Sequence, residues 1–137
     1  MAFVVYLQMQ TQRDTEFKQS SNAIALDLIN LTQSYQAEEQ KWTTKQNDNI
    51  TMASIIHSYD SRYQSLLERT NALDTPDKYK TVRDMLALSI QTEQQSNDHL
   101  RSYLITGNAT EYKLSSDYLS KSYAYSGDYN AALTAAG

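Results

Sequence analysis

Apolar residues along the chain recur at seven-residue spacing in paired rows offset by four, the periodicity of a helical-bundle seam. In the first segment Phe17, Ile24 and Leu31 form one row, and Leu28, Tyr35 and Trp42 the other. In the second, Met52, Tyr59, Leu66 and Leu73 repeat by seven, with Ile56 and Tyr63 offset by four. In the third, Tyr79, Leu86 and Leu100 share a row, with Val82, Ile90 and Leu104 close beside it. In the fourth, Tyr112, Leu119 and Leu133 share a row that Tyr123 flanks. No segment sustains the two-residue alternation of a half-buried strand. The pattern predicts helices over about 3–46, 50–73, 76–106 and 109–135.

The segments between the rows read as corners. In "QNDNIT" (46–51), Asp48 or Asn49 suits the cap of the second helix. In "LDTPDK" (73–78), Thr75 suits an N-cap, and Pro76 the first helical position, where its missing N–H would be unpaired anyway. In "TGNATE" (106–111), Gly107 can take the left-handed conformation that ends a helix. Asn108 can cap the next helix, and Glu111 stands where a capping box needs it. Gly127 predicts a kink or an end in the fourth helix.

Short corners imply antiparallel neighbours. The expected fold is therefore all-α: an antiparallel up-down-up-down four-helix bundle, one domain over 1–137, with a long first helix projecting past its partners over residues 3–14. Both termini and the "TPD" corner then share one end, and the "TGN" corner lies at the other. The apolar run Ala2–Leu7 is too short to span a membrane. It reads either as a helix end that packs or pairs, or as the last turn of a transmembrane helix, with Met1 and Ala2 as added residues.

Composition narrows the functional classes. The net charge is −4 and no run of like charge occurs, which argues against nucleic-acid binding. The absence of cysteine removes a disulfide scaffold, a thiolate metal site and a cysteine nucleophile. His57 and His99 have no metal-ligand spacing, and no phosphate loop, Gly-x-Ser-x-Gly or His-Glu-x-x-His occurs. The expectation is a non-enzymatic domain with no cofactor and no metal.

Three features remain. Polar residues interrupt the seams at Glu38, Glu93, Asn97 and Ser126. A buried polar group needs partners, so these positions either fix register or line a pocket. Tyrosine outnumbers phenylalanine eleven to two, which suits either an amphipathic filler or an interaction face. Sequons begin at Asn30, Asn49 and Asn108, of which Asn49 and Asn108 fall at corners able to carry a glycan.

The stretch "RSYLITGNATEY" resembles a signature of extracytoplasmic helical sensor domains of the CHASE3 and four-helix-bundle receptor type, through Arg101, Tyr103, Leu104, Thr106, Gly107 and Tyr112. That resemblance implies a ligand-sensing or signal-relaying module outside the cytoplasmic membrane. The leading expectation is thus the extracytoplasmic sensing domain of a membrane-anchored receptor. Its membrane contact would come through segments outside this stretch. It would recognise a small-molecule ligand or protein partner, with Glu93, Asn97, Arg101 and Tyr103 as binding residues, and form a homodimer through the first helix. The alternative is a structural or adaptor bundle of a cell-surface protein with no small ligand.

Overall fold

A computed structural model describes residues 2–137; the reading of Met1 as an added residue lies outside them. The chain is all-α, with four long helices: α1 Ala2–Thr43, α2 Asn49–Asn71, α3 Lys80–Thr106 and α4 Ala109–Ala136. The connections are short, so successive helices run antiparallel.

The corners follow local chemistry. Asp48 caps α2, its carboxylate accepting from the Thr51 N–H at 2.8 Å. Gly107 ends α3 in the left-handed region (φ 71°), with its N–H donating to the Tyr103 carbonyl at 2.7 Å. Asn108 caps α4 through the Thr110 N–H at 3.0 Å. The capping box is not closed there, because the Glu111 carboxylate turns instead to His99 Nδ1 at 2.5 Å.

Two further expectations are corrected. α3 does not begin at Pro76. A 3-10 turn over Asp77–Tyr79 intervenes, and Thr75 donates back to the Leu73 carbonyl instead of capping. The turn drives Tyr79 fully inside, where its ring stacks on Phe17 with centroids 4.8 Å apart. Burying two aromatic rings, at about 2 kcal/mol or more each, outweighs the better hydrogen-bond geometry of an immediate α-helical start. Gly127 does not end α4, which runs unbroken through it. The intrinsic cost of a mid-helix glycine, about 1 kcal/mol, is small beside the packing of the helix on either side.

The core is built from alternating three- and four-residue steps. On α1 these are Phe17, Ser21, Ile24, Leu28, Leu31 and Tyr35. On α2 they are Met52, Ile56, Tyr59, Tyr63, Leu66 and Thr70. α3 buries a wider face, adding Ile90, Asn97 and Leu104 to Val82, Leu86, Ser89, Glu93, Ser96 and Leu100. It is the hub of the bundle.

α4 packs on α3 in a way the apolar rows did not anticipate. Its buried residues are Ser115, Ser122 and Tyr129, while Tyr112 and Tyr123 are exposed and Leu119 and Leu133 only half-buried. Ser89 and Ser96 of α3 meet Ser122 and Ser115 in reciprocal contacts. Ser122 Oγ donates to the Ser89 carbonyl at 2.9 Å, and Ser96 Oγ to the Ser115 carbonyl at 2.7 Å. Small side chains at seven-residue spacing on both helices let the two backbones approach closely, as they do in other helix pairs with small seam residues.

That close approach pulls α4 toward α3 and away from α1. No Cα of α1 comes within 8 Å of one of α4, so this flank of the bundle is open. At the terminal end α1 is held by Arg13 on Asp74 at 2.8 Å and Asp14 on Lys78 at 3.0 Å. The projection is therefore shorter than residues 3–14. It carries Phe3, Val4, Val5, Tyr6, Leu7 and Met9, all exposed. Among the described residues, no helix is long and apolar enough to cross a membrane.

Candidate functional site

The open flank forms a groove walled by α1 and α4 and floored by α3, enclosing about 280 Å³. Its floor exists because the α3 seam switches from apolar to polar at mid-helix. Leu86 and Ile90 give way to Glu93, Ser96 and Asn97 before Leu100 restores the apolar pattern.

Glu93 is 5% exposed. Its Oε1 accepts from Thr32 Oγ1 of α1 at 2.5 Å and from the Tyr63 hydroxyl of α2 at 2.9 Å, so one carboxylate oxygen ties three helices together. Oε2 has no hydrogen-bond partner and no cation pairs with Glu93 among the described residues. Burial pushes the Glu93 carboxyl above the ordinary carboxylate range, and the Thr32 and Tyr63 hydroxyls oppose this by stabilising the charged form. The Tyr63 hydroxyl is pushed well up by its own burial and then by the Glu93 charge.

Asn97 lies one turn further along α3 and also lines the groove, with its Nδ2 sealed from solvent and unpartnered. The hydroxyl of Tyr35, from α1, is in the same condition. Burial, followed by the charges of Glu39 and Glu93, pushes it well up. The Tyr35 ring is fixed edge-on against Tyr59 with centroids 5.6 Å apart, and Ser34 bonds the Tyr59 hydroxyl at 2.6 Å. Native interiors leave few polar groups unpaired; Tyr35 and Asn97 face this groove, and Asp60, Tyr79, Arg101 and Tyr129 carry such atoms outside it.

The mouth is aromatic. Trp42 comes from α1, its indole N–H held by Asn49 Oδ1 at 2.9 Å. Tyr112 and Tyr123 come from α4. Glu39 lies on the α1 wall, its carboxyl pushed up by burial. One long hydrogen bond, Gln36 Nε2 to the Tyr123 hydroxyl at 3.4 Å, crosses the opening.

The expected binding residues divide. Glu93 and Asn97 stand side by side in the groove. Arg101 and Tyr103 do not line it. Residue 101 is two turns beyond Glu93, about 80° around the helix at 3.6 residues per turn. Arg101 is half-buried there, with an unpartnered Nε. Tyr103 packs edge-on against Tyr112 with centroids 5.0 Å apart, supporting the rim from behind. Reading the rows as core alone missed Thr32, Tyr35, Glu39, Tyr63 and Trp42. Their signal was position: on α1, 32, 35, 39 and 42 follow one another at helical spacing on a single face.

The expected glycan positions Asn49 and Asn108 are both exposed at corners. In each, Oδ1 is the atom engaged within the protein, by Trp42 and by Thr110. Asn30 is exposed as well.

In the groove the Glu93 carboxylate meets the hydroxyls of Thr32 and Tyr63. Among the described residues no cluster of three His, Asp or Glu side chains is arranged to hold a metal. No known family, curated protein or solved structure matches the chain.

Proposed function

We propose that this chain is a non-enzymatic sensing domain, the extracytoplasmic part of a membrane-anchored receptor, and that the groove between α1 and α4 is where it takes its ligand. The observation that carries this reading is the Glu93 floor. A buried carboxyl without a counter-ion, beside unpaired Tyr35 and Asn97, is costly for stability. Such cost where the bundle is open to solvent points to function.

The route from ligand to output is α1. It runs without a break from Trp42 at the groove mouth to Phe3 at the apolar projection, a span of about 60 Å at the usual helical rise. A ligand that draws α1 and α4 together acts where the bundle is least packed, so the displacement is cheap and is carried along a rigid element to the terminal end. The resemblance of "RSYLITGNATEY" to extracytoplasmic sensor domains supports the same reading, with the Gly107 corner far from the membrane.

A second reading, a structural or adaptor bundle without a small ligand, is favoured by one observation: Leu26 and Ile29 are exposed on α1, on the side away from the core, as is the apolar run Phe3–Leu7. This stripe suits pairing of α1 with its copy, and it serves a dimeric receptor equally well. The test is the segment encoded upstream of Phe3. A membrane helix or signal peptide there supports the sensor; the lack of both refutes it.

A further inference from the structure

We infer that the groove takes a small organic cation, an alkylammonium ligand seated on Glu93 with Glu39 available to a second amino group. The inference rests on the sensor reading and names its ligand class.

Charge is the first argument. The side chains lining the groove include two carboxyls, Glu93 and Glu39, and no Lys, Arg or His. An anion would meet two like charges with nothing to offset them. A neutral ligand would leave the Glu93 charge unpaired, whereas an ammonium group supplies the missing counter-ion, with Glu93 Oε2 free to receive it. A charge pair made in a partly desolvated site is far stronger than one on the surface.

The aromatic mouth is the second argument. Trp42, Tyr112 and Tyr123 surround the opening and Tyr35 lies on the α1 wall. Ring faces attract cations, and cages of this kind recognise ammonium groups. The protein already uses the interaction elsewhere: Lys121 lies 4.9 Å from the Tyr118 ring centroid and Arg62 4.9 Å from that of Tyr59.

Dimensions are the third. About 280 Å³ is at the small end for ligand pockets. Thr32, which binds Glu93, and Glu39 are seven residues apart on α1, about 10 Å along the axis. A linear diamine of a few carbons reaches from one carboxyl to the other.

The test is calorimetric titration of the chain with diaminopentane, pentanediol and glutarate, three ligands of one length and different charge, at constant ionic strength. The expected result is binding of the diamine alone. Replacing Glu93 by Gln should weaken it on the order of thirtyfold or more, as removal of one partner from a desolvated charge pair does. Glu39→Gln, nearer the mouth, should weaken it severalfold and leaves the hydrogen bonds around Glu93 intact. Binding of pentanediol or glutarate as tight as that of the diamine overturns the inference and leaves the sensor reading standing, as does diamine binding unchanged in both variants. A groove that takes none of the three also overturns it, and the sensor reading is then decided independently by the upstream segment.

Discussion

Replacing Glu93 with glutamine should stabilise the protein at neutral pH, although it alters a core residue whose Oε1 holds two hydroxyls. The amide keeps the shape of the side chain, and its oxygen can accept from Thr32 and Tyr63 as Oε1 does now. Two charge-assisted hydrogen bonds become neutral ones, a loss of about 1 kcal/mol each. The buried, uncompensated charge disappears, and a desolvated ion of this kind costs several kcal/mol. The balance favours the amide by about 1–3 kcal/mol, or roughly 3–10 °C in melting temperature for a domain of this size. Glu93→Ala should have the opposite sign. It strands both hydroxyls at about 1–3 kcal/mol each and opens a cavity besides. The pH dependence gives an internal check. Because the folded-state pKa of Glu93 lies above its unfolded value, its contribution to stability is fully present below the ordinary carboxylate range and is lost as pH rises through the raised value. The advantage of the glutamine variant should therefore grow from acid to neutral pH. Urea denaturation of both proteins from pH 4 to 8 measures the difference and cancels every other titrating group. A glutamine variant that is less stable than the parent at pH 7.5, with a pH-independent difference, would refute the reasoning and imply a counter-charge for Glu93.

Asp98, exposed on α3, is pushed up to about 6 by partial desolvation first and then by the Asp60 carboxyl beside it, while Arg101 and His99 oppose the shift. Its stabilising contribution is therefore lost as pH rises from the ordinary carboxylate range through about 6, and Asp98→Asn should remove that part of the pH dependence, as carbon-detected NMR titration and denaturation can both establish. Ser122→Leu should destabilise by about 1–3 kcal/mol through overpacking, because Ser122 is sealed against the Ser89 backbone; denaturation midpoints measure it, and a neutral result would refute the close α3–α4 seam. The glycines should respond with opposite signs. Gly107→Ala should cost about 1 kcal/mol because φ is +71° with open space around it, and Gly127→Ala should gain about 0.5–1 kcal/mol in the uninterrupted, equally open α4.

The four helices were legible because their apolar residues keep a helical period and because Asp48, Gly107 and Asn108 punctuate them with specific backbone chemistry. The α3–α4 seam was not, because its residues are Ser89, Ser96, Ser115 and Ser122. A scale of hydrophobicity ranks these with the surface, whereas their contribution is small size. The sevenfold spacing was present on both helices, but only pairing them exposes its meaning. The groove follows from that seam. Where α4 sits is set by the volume of the side chains between it and α3, and no single helix carries that information. Glu93 and Asn97 stood out as interruptions of an apolar row. Arg101 was suggested by a motif instead, and the helical period takes it away from the groove. The length of the projection was overread because Arg13 and Asp14 find partners in Asp74 and Lys78, long-range pairs that no local pattern encodes.

Trp42 is the only tryptophan and stands at the mouth of the groove, so its fluorescence reports directly on whether this flank of the bundle is a binding site. Titration with diaminopentane should give a saturable change in Trp42 emission that the Glu93→Gln variant, still folded, shows only at concentrations on the order of thirtyfold higher or beyond. Emission that stays unmoved by the diamine, or that moves equally in the variant, would contradict the account.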